Sequence, residues 1–162
     1  MAEYDKTMKS QIESGILERV HKSRKADGPR TYYVPHQPVV KETSSTTKLR
    51  VVSDFSAGDP SVNELLLRGK IYAGQNDKSI MSIICRVRLM PFVLSCDLEK
   101  AFHQILLNIM DRDVTRMMWP NDPLVEDEPK IYRFTRVPFG MGPSPFLWGA
   151  TMEYHLEQSD SQ

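Results

Sequence analysis

Apolar and polar residues alternate with two different periods along this chain, and these periods predict its first helix and its first hairpin. In residues 5–21, apolar side chains recur at about the spacing of a helix turn, which predicts an amphipathic helix. This spacing is carried by Met8, Ile12, Leu17 and Val20. Residues 49–55 alternate as a half-buried strand does. Together with the proline-containing edge strand before them, they predict a hairpin over residues 38–55.

Three further helices are predicted from start and stop signals. The first follows a capping box formed by Ser61 and Glu64. The second covers the apolar residues before Pro91, and the third extends from Pro143, which a first helical turn tolerates, to about Gln158. The candidate caps of the second helix are Asp77 and Ser79.

Further strands are predicted between and after these helices. The run Phe92–Cys96 is uninterrupted and apolar, which is typical of a strand buried on both faces. Residues 116–119 and 130–137 are predicted to be two strands joined by an acidic loop, and residues 101–107 are open to a helix or a strand. This mixture, without an internal repeat, predicts an α+β fold.

Composition excludes several classes of protein. The chain has 162 residues, enough for one domain or a piece of a larger one, and 40% of them are apolar. There is no apolar run of roughly eighteen residues and no apolar signal core at the N-terminus, so neither a membrane span nor secretion is predicted. Cys85 and Cys96 are expected to be buried, reduced thiols, which indicates an intracellular protein.

Charge is distributed unevenly along the chain. The formal net charge is zero, which argues mildly against nucleic-acid binding. However, residues 1–50 carry ten basic against six acidic side chains, whereas residues 111–162 carry five against nine. The basic front half has the charge needed to follow a phosphate backbone, although a solvated surface is the simpler interpretation of residues 19–30.

The candidate chemistry centres on Asp97, which follows the predicted strand. A carboxylate between the core and solvent needs a cation or hydrogen-bond donors to compensate its charge. A divalent ion does so, with a neighbouring carbonyl such as that of Leu98 as a further ligand. Taken without its context, Asp97 more often has the simpler role of capping a helix that begins at Leu98.

Three motifs supply this context, and we call them the fingers motif, the metal motif and the glycine motif. They are Leu49-Arg-Val-Val-Ser-Asp-Phe55, Leu94-Ser-Cys-Asp-Leu-Glu-Lys-Ala-Phe-His-Gln-Ile105 and Val137-Pro-Phe-Gly-Met-Gly-Pro-Ser-Pro-Phe146. In this order they resemble the fingers strand, the first metal-binding motif and the template-grip motif of reverse transcriptases from long-terminal-repeat retroelements. The phrase Lys48-Leu-Arg-Val-Val52 and the stretch 32–42 look most like the BEL/Pao group, and the resemblance covers about residues 30–158.

This resemblance implies a partial right-hand polymerase with antiparallel palm strands packed on helices. Residues 1–29 would be an N-terminal helix and linker, 30–91 a fingers-like region, and 92–162 an incomplete N-terminal palm. The complete enzyme would be an RNA-directed DNA polymerase that adds dNTPs to a primer 3′-OH on an RNA or DNA template. The remainder of a retroelement polyprotein would be its other partner.

The resemblance also assigns roles in the metal motif. Asp97 and the Leu98 carbonyl would bind the catalytic Mg²⁺ or Mn²⁺ ions, which the complete enzyme requires. Phe102 would lie under the sugar of the incoming nucleotide and exclude a ribose 2′-OH by shape. On pattern alone, Phe102 is more simply explained as a core aromatic.

In the other two motifs the resemblance assigns contacts to nucleotide and template. Arg50 would stack on the incoming base and contact its triphosphate, and Lys41 would meet the γ-phosphate. An exposed hairpin charge is the alternative for both residues. The implied nucleotide contacts in the glycine motif are Phe139 and Gly140. The implied template contacts are Gly142, Ser144 and Pro145.

In this family a second metal-binding element with paired aspartates follows the glycine motif, but this sequence has no Asp-Asp pair after Pro138. The chain is therefore expected to be a fragment without polymerase activity. One alternative is a non-catalytic nucleic-acid-binding module derived from a retroelement. Another is an unrelated α+β protein in which Asp97 caps a helix.

Overall fold

The computed structural model describes residues 2–21, 25–41, 49–69, 80–120 and 128–159. These residues form a mixed α+β structure with four α-helices, five strands and two 3₁₀ helices. The α-helices are α1 (Ala2–Glu13), α2 (Val62–Leu65), α3 (Ile80–Leu89) and α4 (Ser144–Ser159). The strands are β1 (Leu17–Val20), β2 (His36–Val40), β3 (Leu49–Ser53), β4 (Arg116–Trp119) and β5 (Lys130–Phe134). The 3₁₀ helices are Ala101–Gln104 and Ile109–Thr115.

The strands form two small antiparallel sheets. In the first, β5 lies between β1 and β4, with Leu17 opposite Phe134 and Met117 opposite Tyr132. In the second, β2 and β3 form the predicted hairpin, in which Val39 lies opposite Arg50. β1 comes from the predicted N-terminal segment and pairs with β5 from the predicted palm region.

A single hydrophobic core joins the two sheets and α1. Tyr4 and Met8 of α1 are buried in it together with Met117 and Phe134 of the three-stranded sheet. Alternate residues of β3, among them Val51, pack against this core from the hairpin side. The period of two predicted for this strand is therefore the reason that the hairpin presents one face to the core.

Several predicted elements are confirmed. The capping box is present, because the Ser61 hydroxyl accepts a hydrogen bond from the Glu64 amide while the Glu64 carboxylate accepts one from the Ser61 amide. The predicted strands over 116–119 and 130–137 pair as β4 and β5, and α4 closely matches the predicted final helix. None of the described helices has the length and apolar content needed to cross a membrane. The candidate caps Asp77 and Ser79 lie outside the described residues.

The predicted first helix is wrong in its second half. α1 stops at Glu13, and Gly15 adopts φ +68°, while the Ile16 amide donates to the Gln11 carbonyl 2.9 Å away. This left-handed residue ends the helix as a C-terminal glycine commonly does. Leu17 and Val20 fit the helical period, but they are buried in β1 instead.

The predicted buried strand Phe92–Cys96 is also wrong. Residues 92–98 have no regular structure and are exposed, with Phe92 89% and Leu94 101% accessible. No described strand lies beside them, and an extended segment without a hydrogen-bonded partner is not a strand. Cys96 and Cys85, expected to be buried, are exposed free cysteines.

A buried ion network joins the three-stranded sheet to the second 3₁₀ helix and to the segment that contains Asp27. Arg133 of β5 is 1% exposed and contacts Glu18 at 2.7 Å, Asp27 at 2.8 Å and Asp113 at 2.9 Å. Asp113 is fully buried and also pairs with Arg116 at 2.8 Å. Charged side chains are exposed in most proteins, but Asp113 is buried because two arginines compensate its charge inside the protein.

This network makes stability depend on pH in the acid range. Burial by itself would raise the pKa of Asp113, but hydrogen bonds from the Asp27 backbone amide and from two arginines outweigh it and hold that pKa below its usual value. A depressed folded-state pKa stabilises the protein fully above the unfolded-state value, about 4, and the stabilisation is lost as the pH falls from there through the folded-state pKa.

We therefore expect the free energy of unfolding to decrease as the pH falls below about 4. Urea denaturation between pH 7 and pH 3, combined with carbon NMR titration of the Asp113 carboxyl group, measures both quantities. An Asp113 carboxyl that titrates at or above the value for an unfolded aspartate would contradict this expectation.

Candidate functional site

The glycine motif lies in contact with both of the other motifs. Gly140 has φ +89°, and a Cβ atom placed on it would lie 2.9 Å from the carbonyl oxygen of Ser53, at the end of the fingers motif. On its other side, the Val137 amide donates to the Ile105 carbonyl of the metal motif across 2.9 Å. Three segments that are far apart in sequence therefore meet at one turn, residues 138–143, which we call the glycine turn.

An aromatic pair forms where the metal motif meets the glycine turn. The rings of Phe102 and Phe139 are tilted by 48°, with centroids 4.8 Å apart. Phe139 is 52% exposed, whereas Phe102 packs against the core. The structure thus brings together two of the residues proposed from sequence to contact a nucleotide, and one of their rings faces solvent.

His103 supports this aromatic pair and was not assigned a role from sequence. Its ring meets Phe139 edge-on at 5.1 Å, and its carbonyl accepts a hydrogen bond from Arg136 across 3.1 Å. Burial, and then the charges of Lys100 and Arg136, lower the pKa of His103, so the imidazole is neutral at pH 7. A neutral ring is compatible with a position against Phe139.

A small cavity lies between α1 and this aromatic group. Its volume is about 300 Å³, and its walls include Lys6 and Gln11 of α1 as well as His103 and Phe139. Two buried atoms in these walls, Gln11 Oε1 and His103 Nδ1, have no hydrogen-bond partner among the described residues. An ordered water can serve both atoms, because it donates to Gln11 Oε1 and can donate to or accept from His103 Nδ1 according to the tautomer.

Asn63 of α2 fixes the shape of the glycine turn. Its Oδ1 accepts a hydrogen bond from the Gly142 amide at 2.7 Å, and its Nδ2 donates to the Gly140 carbonyl at 3.0 Å. The same Nδ2 also donates to the Ser56 hydroxyl at 2.9 Å. Asn63 was not singled out from sequence. Its position two residues after a capping serine places it on a helix, but it does not reveal which distant turn it meets.

The proposed template contacts in the glycine motif differ in accessibility. Ser144 is fully buried at the start of α4, and its hydroxyl donates to the Pro138 carbonyl across 2.7 Å. This hydroxyl fixes the turn from inside. Gly142 is half-buried, and Pro145 is exposed in the first turn of α4.

The two proposed phosphate-binding cations lie on the hairpin. Arg50 is exposed in the middle of β3, and Lys41 is exposed directly after β2. Leu49 and Val51 face the core, so Arg50 projects from the opposite face of the strand. The structure therefore makes both cations accessible to an anionic ligand.

Asp97 and Leu98 are the residues proposed from sequence to bind a metal ion. They lie together in the exposed segment without regular structure, and Lys100 after them adopts φ 52°. No cluster of three or more potential metal-binding side chains occurs among the described residues. Two metal ions that clamp an in-line displacement need carboxylates from more than one element, so Asp97 alone does not complete a two-ion site among the described residues.

Compared with known proteins, the sequence matches no family model and no curated protein. Its family and function are therefore inferred from its motifs and from the contacts between them.

Proposed function

We propose that the chain is the fingers and N-terminal palm portion of a BEL/Pao-type reverse transcriptase. The observation that carries this proposal is the convergence of the three motifs at the glycine turn. Gly140 meets Ser53 of the fingers motif, and Phe139 meets Phe102 of the metal motif. If three motifs serve a common ligand, they should lie close together in space. These three motifs lie in contact at one turn, which supports the proposal.

In this proposal the aromatic pair forms the surface on which the incoming nucleotide lies. The exposed ring of Phe139 offers a flat apolar contact, and Phe102 beside it is held by the core. A fixed ring selects a deoxyribose by shape, since an added 2′-oxygen collides with it. Gly140 has no side chain and therefore allows the turn that carries Phe139 to lie directly against Ser53.

The hairpin supplies the positive charge in this proposal. Arg50 lies on β3 and Lys41 directly follows the neighbouring strand β2, and both are exposed, so both are accessible to the phosphates of a bound nucleotide. A guanidinium binds two phosphate oxygens at once, whereas an ammonium acts as a point charge. Arg50 is therefore the stronger of the two proposed phosphate contacts.

The metal-dependent part of the proposal needs groups beyond those described. Asp97 and the Leu98 carbonyl would contribute to a Mg²⁺ or Mn²⁺ site only together with further carboxylates. The second candidate function, a nucleic-acid-binding module that does not catalyse, requires the exposed cations of the hairpin but no metal site. We therefore assign no catalytic step to this chain.

Nucleotide selection by the chain bound to a primer–template tests the proposal. With Mg²⁺ present, we expect the matching dNTP to bind about tenfold more tightly than the corresponding rNTP, a difference of about 1.4 kcal/mol. Phe102→Ala should bring this ratio close to one, because the ring that excludes the 2′-oxygen is gone. Phe92→Ala is the matched control, since Phe92 is exposed and lies outside the aromatic pair.

The same experiment separates the two candidate functions. Salt-sensitive binding of the primer–template without any preference between dNTP and rNTP would support the non-catalytic module and contradict the polymerase proposal. A chain that does not bind the primer–template at about 50 mM salt would contradict both.

A further inference from the structure

Arg68 is an exposed cation held against the glycine turn. Its Cγ atom lies 3.4 Å from the place where a Cβ atom on Gly142 would be, so its aliphatic stem runs along the turn. The next residue, Gly69, packs directly on the ring of Phe146 in α4. The first contact supports the stem of Arg68, and the second holds the backbone at the next residue.

The guanidinium of Arg68 has no ion-pair partner within the part of the chain that the structure describes. In this respect it differs from Arg112, Arg116 and Arg133, which all pair with carboxylates. Its charge is permanent, and its five donors match phosphate oxygens in pairs. An exposed arginine that has no ion-pair partner among the described residues is therefore open to an anionic ligand.

Asn63 fixes the part of the glycine turn on which the Arg68 side chain rests. Its amide group binds Gly140 and Gly142, and the stem of Arg68 rests on Gly142. A change in the turn would therefore move the surface that supports Arg68. Asn63 itself is half-buried, and its Oδ1 and Nδ2 atoms both form hydrogen bonds within the protein.

We propose that Arg68 contacts a backbone phosphate of a nucleic-acid strand that passes over the glycine turn, and that Asn63 is its positioning residue. This inference rests on the proposed function and adds a contact outside the three motifs. Phosphate contacts of this kind position a strand without reading its sequence.

Fluorescence anisotropy with a labelled RNA–DNA primer–template measures this contact in the full 162-residue chain. We expect Arg68→Ala to weaken binding about fivefold and to reduce the slope of log affinity against log salt by about one. Arg68→Lys should keep the slope and lose about twofold in affinity, because the charge remains while paired hydrogen bonding is lost. Arg88→Ala, which removes an exposed arginine of α3, is the charge-matched control and should leave affinity within about twofold.

Asn63→Ala tests the positioning role in a double-mutant cycle with Arg68→Ala. We expect the two losses in affinity to be less than additive, and the Gly142 amide to exchange its hydrogen faster in Asn63→Ala. Additive losses, or an unchanged Gly142 amide, would overturn the role of Asn63. Wild-type binding with no effect of Arg68→Ala would overturn the Arg68 contact alone, whereas absent wild-type binding would overturn the proposed function as well.

Discussion

Replacing Arg133 by methionine is expected to lower the free energy of unfolding by about 3 kcal/mol, a large share of the roughly 5–15 kcal/mol that holds a typical domain together. Arg133 is 1% exposed and contacts three carboxylates, those of Glu18, Asp27 and Asp113. Methionine fills much of the same volume but leaves these acids facing one another. The effect is largest on Asp113, because it is fully buried and keeps only Arg116 as a cationic partner among the described residues.

Arg112→Met is the matched control for this prediction. Arg112 also pairs with Glu18, at 3.3 Å, but it is partly exposed and its other bond goes to the Leu107 carbonyl. Water can replace such an arginine, so its loss should cost about 1 kcal/mol or less. Urea denaturation of both variants at pH 7 gives the comparison. Equal losses for the two variants would show that burial of Arg133 does not set the strength of the network.

The parts of the fold that sequence predicted correctly are those defined by local patterns. The capping serine and its glutamate lie three residues apart, so their pairing is visible in the sequence and is found in the structure. The alternation in residues 49–55 likewise depends only on neighbouring positions. The pairing of β4 with β5 was predictable because the two strands follow one another along the chain.

The buried ion network could not be predicted, because nothing in the sequence shows that Asp113 is surrounded by cations. Asp113 and Arg133 are twenty residues apart in sequence, and Asp27 is far from both. A charged residue is exposed in most proteins, so exposure was the reasonable prediction. Only the packing of the second 3₁₀ helix against β5 places these charges together.

The segment Phe92–Cys96 shows a different limit. An apolar run predicts burial, but a strand also needs a neighbour that supplies hydrogen bonds, and sequence gives no information about that neighbour. Within the described ranges none is found, so the segment carrying Asp97 is extended and exposed. The roles proposed for Asp97 and Leu98 therefore depend on more than their local sequence.

The candidate site was predictable in its residues but not in its assembly. The resemblance picked out Phe102, Phe139 and Gly140, which lie around one turn in the structure. It did not pick out Asn63, because the hydrogen bonds of an asparagine side chain leave no periodic signal in sequence. The contact between the fingers motif and the glycine turn depends on Gly140. Adding one methyl group at this residue tests whether that contact shapes the site.

Gly140→Ala is expected to lower the free energy of unfolding by about 3 kcal/mol and to weaken nucleotide binding together with it. The φ of +89° disfavours any residue with a Cβ atom, at a cost of about 1–2 kcal/mol. The methyl group would also lie 2.9 Å from the Ser53 carbonyl oxygen, and a close contact with backbone in a packed region costs a further 1–3 kcal/mol or so. Thermal and urea denaturation measure the total.

Gly15→Ala separates the two contributions, because Gly15 has a similar φ of +68° but nothing within 4 Å of its Cβ position. It should lose only the conformational part, about 1 kcal/mol. The excess loss of stability in Gly140→Ala would come from pushing the turn away from Ser53. This movement would also shift the ring of Phe139 relative to Phe102. Selection of dNTP over rNTP should therefore weaken in Gly140→Ala but not in Gly15→Ala. Equal losses in stability, with selection intact in both variants, would mean that contact between the fingers motif and the glycine turn does not shape the site.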